Sequence, residues 1–334
     1  MELIHTFLNL VAPPFTFFTL LLFLPPFQIF KFFLSILGSV FAEDVAGKVV
    51  IVTGASSGIG EHLAYEYAKR GARLVLAARR ERSLTVLIIE KNKYNNFVLL
   101  MRGFFFMVYA VDHLVNNAGL MSVSMLEEAE NVTEFRAIMD INFWGYAYMT
   151  KFAAPYLRNS QGRIVVLSSS ASWLPGPRMS FYNASKAAVA QFFETLRIEF
   201  GPDIGITLVT PGFIESELTQ GKFVSKAGKL EVDQDMRDVQ VNINPIQRVE
   251  SCAKAIVNSA CRGERYLTVP AWFRVTFFWK TFCPEVLEWF YRFLYITSPG
   301  DSPKEALGKK LIDFTGAKAV LYPETVQTPE TKKD

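Results

Sequence analysis

The chain has 334 residues, half of them hydrophobic and 14% aromatic, with 35 basic against 32 acidic side chains for a formal charge of +3. No basic excess marks a nucleic-acid partner, and the three widely spaced thiols, Cys252, Cys261 and Cys283, give neither a disulfide framework nor a zinc pattern. Only His5, His62 and His113 are present, which excludes most histidine-based catalysis and metal binding, while the apolar content points to membrane contact.

Residues 1–42 read as a hydrophobic anchor. From Leu3 to Phe30 no side chain is formally charged. As a helix rising ~1.5 Å per residue, that run exceeds the ~30 Å hydrocarbon core. Glu2 is the one charge ahead of it, so the basic start of a cleaved signal peptide is missing. Pro13-Pro14 and Pro25-Pro26 interrupt the run, and proline both removes a helix hydrogen bond and clashes with the preceding turn. The favoured reading is a bent hairpin or monolayer anchor, as a lipid droplet (oil body) or endoplasmic reticulum membrane accommodates, with a single span as the alternative. Lys31 and Lys48 after the run favour a cytosolic catalytic domain.

Residues 43–265 read as one α/β domain, a Rossmann-type doubly wound parallel sheet. Lys48 to Thr53 is a β-branched run suited to a buried parallel strand. Gly54-Ala-Ser56-Ser57-Gly58-Ile59-Gly60 follows at once, then a helical pattern to Arg70 and a second strand, Arg73–Ala77. Strand, glycine-rich turn, helix and strand make a dinucleotide site, with glycines letting backbone approach a pyrophosphate at a helix N-terminus. The same turn spells Gly54-x-Ser56-x-Gly58, a possible hydrolase nucleophile elbow, but no histidine follows His113 to complete a triad. Just past the second strand stands Arg79, followed by Arg80, where an acidic residue would select NAD. Arginine there accommodates the 2′-phosphate of NADP(H).

Arg163 to Leu167 is a further apolar strand, ending in Ser168-Ser169-Ser170. Downstream, Tyr182 and Lys186 stand four apart and so share one face of a helix running through Phe200. An unperturbed phenol titrates near ~10, and a neighbouring ammonium lowers that value, making Tyr182 a usable general acid/base. A strand-end hydroxyl can hold a substrate carbonyl. Ile204–Thr210 is the next strand, closed by Pro211-Gly212.

These motifs, with Asn116-Asn-Ala-Gly119 and Asn142, run in the order of the short-chain dehydrogenase/reductase family over about residues 47 to 220, and the sequence resembles that family. Within it, the proline-interrupted anchor, Asp140-Ile-Asn-Phe-Trp144, Ser180 to Lys186 and Glu215 to Gln220 are most similar to plant steroleosins, the oil-body relatives of 11β-hydroxysteroid dehydrogenases. The resemblance implies that Tyr182 exchanges a proton with the substrate oxygen. It implies further that Lys186 binds the nicotinamide ribose, Ser169 orients the carbonyl and Asn142 supports a relay water. Asn116 and Gly119 would line the adenosine side, and Ile214 would meet the carboxamide. The implied reaction interconverts a hydroxyl and a ketone on a sterol-like substrate, and a homodimer is an implied assembly.

Residues 85–111 depart from the family pattern. The segment is shorter than its counterpart and has no Asp before Asp112. Phe97 to Met101 offers a substitute edge strand, but the residues left are too few for a normal covering crossover helix. This departure motivates the alternative reading of a catalytically impaired lipid-surface or sterol-binding protein. Residues 221–250 read as a polar substrate loop. Residues 266–322 form an aromatic-rich helical extension, equally compatible with interfacial helices, a sterol pocket, a dimer contact or core packing. Residues 323–334 read as a disordered tail.

Overall fold

A computed structural model describes residues 2–78, 80, 98–100 (backbone alone), 110–298 and 301–327. The chain divides into two units, Met1–Glu43 and Asp44–Asp334.

In the first unit, Glu2–Val40 is one α-helix, α1, with Pro13, Pro14, Pro25 and Pro26 inside it and no buried residue. The bend expected at the proline pairs is therefore not realised as a hairpin. A proline removes one donor and crowds one turn, and 39 residues leave the rest of the backbone ladder to carry the helix across both sites. At ~1.5 Å per residue it is about 58 Å long, well beyond one hydrocarbon core. It is the one described helix long and apolar enough to cross a membrane.

In the second unit the β-branched runs form a seven-stranded parallel sheet. Its strands are β1 (Val49–Thr53), β2 (Arg73–Ala77), β3 (Val98–Leu100), β4 (His113–Asn116), β5 (Arg163–Leu167), β6 (Gly205–Pro211) and β9 (Tyr266–Val269), in the spatial order β3-β2-β1-β4-β5-β6-β9. The edge strand expected within Phe97–Met101 is present, pairing Leu74 with Val98 and Leu76 with Leu100. The rest of the atypical stretch, 85–97 and 101–109, lies outside the described residues.

Side chains alternate across each strand, and both faces are apolar because both are covered. Val50, Val52, Leu74, Leu76, Val115 and Val165 share one core with α2 (Gly58–Lys69) and α6 (Val249–Cys261). Ile51, Val75, Leu114, Ile164, Val166 and Ile206 share the other with α3 (Gly145–Ser160) and α4 (Ser180–Phe200). The winding direction reverses between β1 and β4, and such a switch point opens a crevice at the carboxyl ends of the strands.

Residues 221–250 are more ordered than a polar loop: a hairpin of β7 (Lys222–Val224) and β8 (Leu230–Val232) leads to α5 (Gln234–Val241), which buries Arg237, Asp238 and Gln240. The aromatic extension forms α7 (Arg274–Phe282) and α8 (Pro284–Tyr295), followed by α9 (Leu307–Thr315). The predicted disordered tail begins too early at Pro323. Glu324–Gln327 is helical, and Val326 is fully buried with Val241, Ile246, Ile312 and Tyr322. Residues 328–334 lie outside the described residues.

Candidate active site

The carboxyl ends of β1, β4, β5 and β6 open into a cavity of about 1530 Å³. Of the predicted residues, Gly54, Ser56, Ser57, Gly58, Ile59, Gly119, Ser169, Tyr182, Lys186, Pro211 and Ile214 line it. Arg79 lies outside the described residues, and its neighbour Arg80 lines the wall.

The glycine-rich turn is held by close backbone approach. Gly54 has φ +67°, and a Cβ there would stand 2.7 Å from Ala118 Cα. A Cβ on Gly60 would stand 2.3 Å from both the Gly54 oxygen and Asn117 Nδ2, so Gly60 packs the turn rather than lining the cavity. Asn117, not Asn116, faces the cavity: its Nδ2 donates to the Thr53 and Gly54 carbonyls, and its side chain lines the wall. Asn116 is fully buried and donates to Thr150 Oγ1 instead. Alternation along β4 decides between the two neighbours, and the motif alone does not show which one faces the crevice.

Tyr182 and Lys186 meet on one face of α4. Lys186 Nζ donates to the Leu167 carbonyl at 2.8 Å and lies 5.4 Å from the Tyr146 ring centre. Burial pushes its pKa down to about 7. Burial also raises the Tyr182 phenol, and a side-chain hydrogen bond with Ser169 pulls it partly back. The expected lowering by Lys186 is thus not what the protein matrix alone produces. The ammonium is directed at the β5 carbonyl, and its charge is itself suppressed by the same desolvation.

Among the three serines, Ser169 is the one beside Tyr182, while Ser168 Oγ donates to the Lys186 carbonyl. Asn142 sits in a π-helical turn, Asp140–Trp144, the kind of local widening that re-aims a side chain. It does not line the cavity. Its Oδ1 accepts from Leu120 N–H, and its Nδ2 donates to the Leu120 carbonyl and Ser185 Oγ. A Cβ on Gly119 would lie 3.4 Å from Asn142 Oδ1 and 3.7 Å from Lys186 Nζ, so Asn142 fixes the strand-end loop beside the reacting groups.

Opposite these groups the cavity is largely apolar. Leu174, Leu230, Phe213, Leu287 and Phe290 line it, with Trp272, Phe273, Tyr291 and Tyr295 of the C-terminal extension. That region is therefore in part pocket wall, while Phe278, Phe282, Trp289 and Phe293 stay exposed. The sequence reading overlooked Tyr146, Glu217 and Lys222, which also line the cavity. No spacing signal ties these to the site, since their elements converge only in the fold.

A family model described as short chain dehydrogenase matches residues 48–226. The curated 11-beta-hydroxysteroid dehydrogenase A of Sesamum indicum is 68% identical over 349 aligned positions, covering all of both chains. The 11-beta-hydroxysteroid dehydrogenase 1A of Arabidopsis thaliana is 53% identical over the same coverage. Those 349 positions exceed the 334 residues present, so this chain carries gaps against both relatives. Among solved structures, a short chain dehydrogenase/reductase from Burkholderia phymatum in complex with NAD aligns with TM-score 0.63 at 23% identity, over 78% of this chain and 98% of that one, a likeness of fold. Aldohexose dehydrogenase of Thermoplasma acidophilum aligns with TM-score 0.55 at 26% identity, over 68% and 94%. The matched segment contains the glycine-rich turn and the Ser169, Tyr182 and Lys186 cluster, and the chain belongs to the short-chain dehydrogenase family.

Proposed function

We propose that this oxidoreductase is an NADP(H)-dependent hydroxysteroid dehydrogenase that interconverts a hydroxyl and a ketone on a sterol-like substrate. The carrying observation is that Ser169, Tyr182 and Lys186 share one large, mainly apolar cavity with the glycine-rich turn.

The residues present suit a dinucleotide. The Gly54 and Gly60 positions leave no room for a Cβ, and the first turn of α2 has no side-chain cap on its N–H groups, as a pyrophosphate seat requires. Arg80, Ser56 and Ser57 gather where an adenosine 2′-phosphate would lie. The nicotinamide, when bound, donates or accepts the hydride. Tyr182 delivers a proton to the carbonyl oxygen during reduction and takes it back during oxidation. Ser169 holds that oxygen against Tyr182. Lys186 binds the ribose and supplies positive charge under Tyr182, the condition that offsets the burial of the phenol. The apolar walls exclude water and favour a sterol body over a polar sugar.

The names of the relatives support the steroid class, and the apolar anchor α1 supports residence at a lipid droplet or endoplasmic reticulum membrane. The impaired-protein alternative draws no support from the described residues, since β3 pairs in register and the reacting groups converge. Turnover of steroid alcohols and ketones by the purified chain, with NADP(H) and NAD(H) in parallel, tests the reading. Absence of turnover with every steroid offered, despite saturable NADPH binding, would remove the substrate class.

A further inference from the structure

Arg80 is engaged in a tight cluster across the mouth of the dinucleotide cleft. Its Nη1 donates to Glu217 Oε1 at 2.6 Å and its Nη2 to Glu217 Oε2 at 2.9 Å. The same Nη2 donates to Ser57 Oγ at 2.6 Å, and Nε reaches Ser56 Oγ at 3.3 Å. Ser57 Oγ in turn donates to Glu217 Oε2 at 3.2 Å. Lys222 Nζ lies 3.9 Å from Glu217 Oε1. The two ends of this pair come from opposite walls: Arg80 follows β2 beside the glycine-rich turn, and Glu217 lies in the loop after β6.

Glu217 differs from its neighbour Glu215. The Glu215 carboxylate accepts from the Val249 N–H and the Thr325 hydroxyl, tying its loop to the body of the fold. Glu217 reaches instead into the cavity and takes up a forked guanidinium and a turn hydroxyl. A bidentate guanidinium, a second cation and two hydroxyls make a receptor for a tetrahedral oxyanion. Ser57 precedes α2 without capping it, so its hydroxyl is committed to this cluster.

We propose that Glu217 is an internal competitor for the cofactor's adenosine 2′-phosphate and sets the discrimination between NADP and NAD. This rests on the reading of NADP(H) as cofactor. The carboxylate supplies one negative charge and two acceptors. A phosphate monoester supplies about −1.5 to −2 charges and three acceptors, and so prevails for the same donors. Arrival of the phosphate transfers Arg80, Lys222 and Ser57 from Glu217 to the ligand, and repulsion drives Glu217 and its loop away. NAD carries no such group and leaves the pair closed. Both side chains are partly shielded, at 16% and 18% exposure, so the pair is stronger than a fully solvated one yet still breakable.

The test is fluorescence titration of the full-length chain and its E217Q variant with NADPH and with NADH, after thermal melts verify that both are folded. E217Q is expected to bind NADPH about three- to tenfold more tightly, with NADH changed by less than about twofold. Weaker or unchanged NADPH binding, or equal gains for both nucleotides, would overturn the inference and make Glu217 a structural brace. A preference of the unaltered chain for NADH would instead defeat the NADP reading, because the inference is judged by the change between the two proteins. Should E217Q not fold, hydrogen exchange of the unaltered chain decides. Residues 215–222 are expected to exchange faster with saturating NADPH than with saturating NADH, and identical exchange overturns the inference.

Discussion

Lys186 Nζ lies 5.8 Å from the centre of the Tyr182 ring, one turn along α4, with its hydrogen bond spent on the Leu167 carbonyl. The two side chains are thus stacked as neighbours without a direct hydrogen bond between them. The Tyr182 hydroxyl has Ser169 as its hydrogen-bond neighbour, and in the proposed mechanism any influence of Lys186 on it is one of charge rather than of a shared hydrogen bond.

Tyr182→Phe keeps the ring and removes that hydroxyl. Proton transfer by a positioned side chain contributes ~10² to 10⁴ in rate, so kcat is expected to fall by about that factor while the affinity for NADPH stays within about twofold. Steady-state kinetics and a nucleotide titration on the same preparation check both halves. A variant retaining full turnover would remove Tyr182 from the chemistry.

Lys186 makes stability depend on pH in a defined direction. Its folded pKa of about 7 lies below the ordinary 10.5. Between those values the unfolded chain holds more protons than the folded one, so stability rises with pH across this window. Below about 7 both states are charged and the full cost of burying the ammonium is felt. Lys186→Met is therefore expected to raise Tm by about 5 °C relative to the unaltered chain at pH 6, with the difference vanishing toward pH 10.5. Thermal melts at several pH values check this, and a pH-independent offset contradicts it.

Much of this site is legible in the residues because short-range order dictates it. The strand, turn and helix around Gly54–Gly60 follow from β-branched runs and glycines, and Tyr182 and Lys186 share a face because 3.6 residues make a turn. The legible part stops where a side chain's direction depends on the register of a strand or the meeting of distant elements. Asn116 and Asn117 are identical in type, and alternation along β4 sends the first into the core and the second to the crevice. Glu217 stands within the Glu215 to Gln220 motif with nothing in its spacing to name a partner, and the loop after β6 brings it opposite Arg80. The helix through Pro13, Pro14, Pro25 and Pro26 outruns a local rule that counts each proline as a break. The tail is a matter of composition: charge and proline outweigh the single apolar Val326, which nevertheless finds a socket.

Gly60→Ala tests the close approach that shapes the turn. Its Cβ would meet the Gly54 oxygen at 2.3 Å, a backbone atom that cannot yield without moving β1. A cost of about 1–3 kcal/mol is expected from such overpacking, together with a loss of dinucleotide affinity of tenfold or more. Denaturant unfolding and a nucleotide titration give the two numbers. Unchanged affinity would mean that the turn does not seat the cofactor.

Val326→Ala tests whether the end of the described chain is part of the folded unit. The side chain is fully buried against Val241, Ile246, Ile312 and Tyr322. The same stretch is clamped by polar contacts, since Arg237 Nη1 donates to the Val326 carbonyl at 2.6 Å and Gln220 Nε2 to the Thr325 carbonyl at 3.1 Å. Removing two buried methyl groups costs about 1–2.5 kcal/mol where the socket does not collapse. Arg237 lines the cavity, and Gln220 belongs to the loop that follows Glu217. Loosening this clamp is therefore expected to raise KM for the proposed sterol-like substrate more than it lowers kcat, because the wall shifts while Tyr182 and Lys186 stay fixed on α4. A loss of stability without any change in KM would confine residues 323–327 to a structural role.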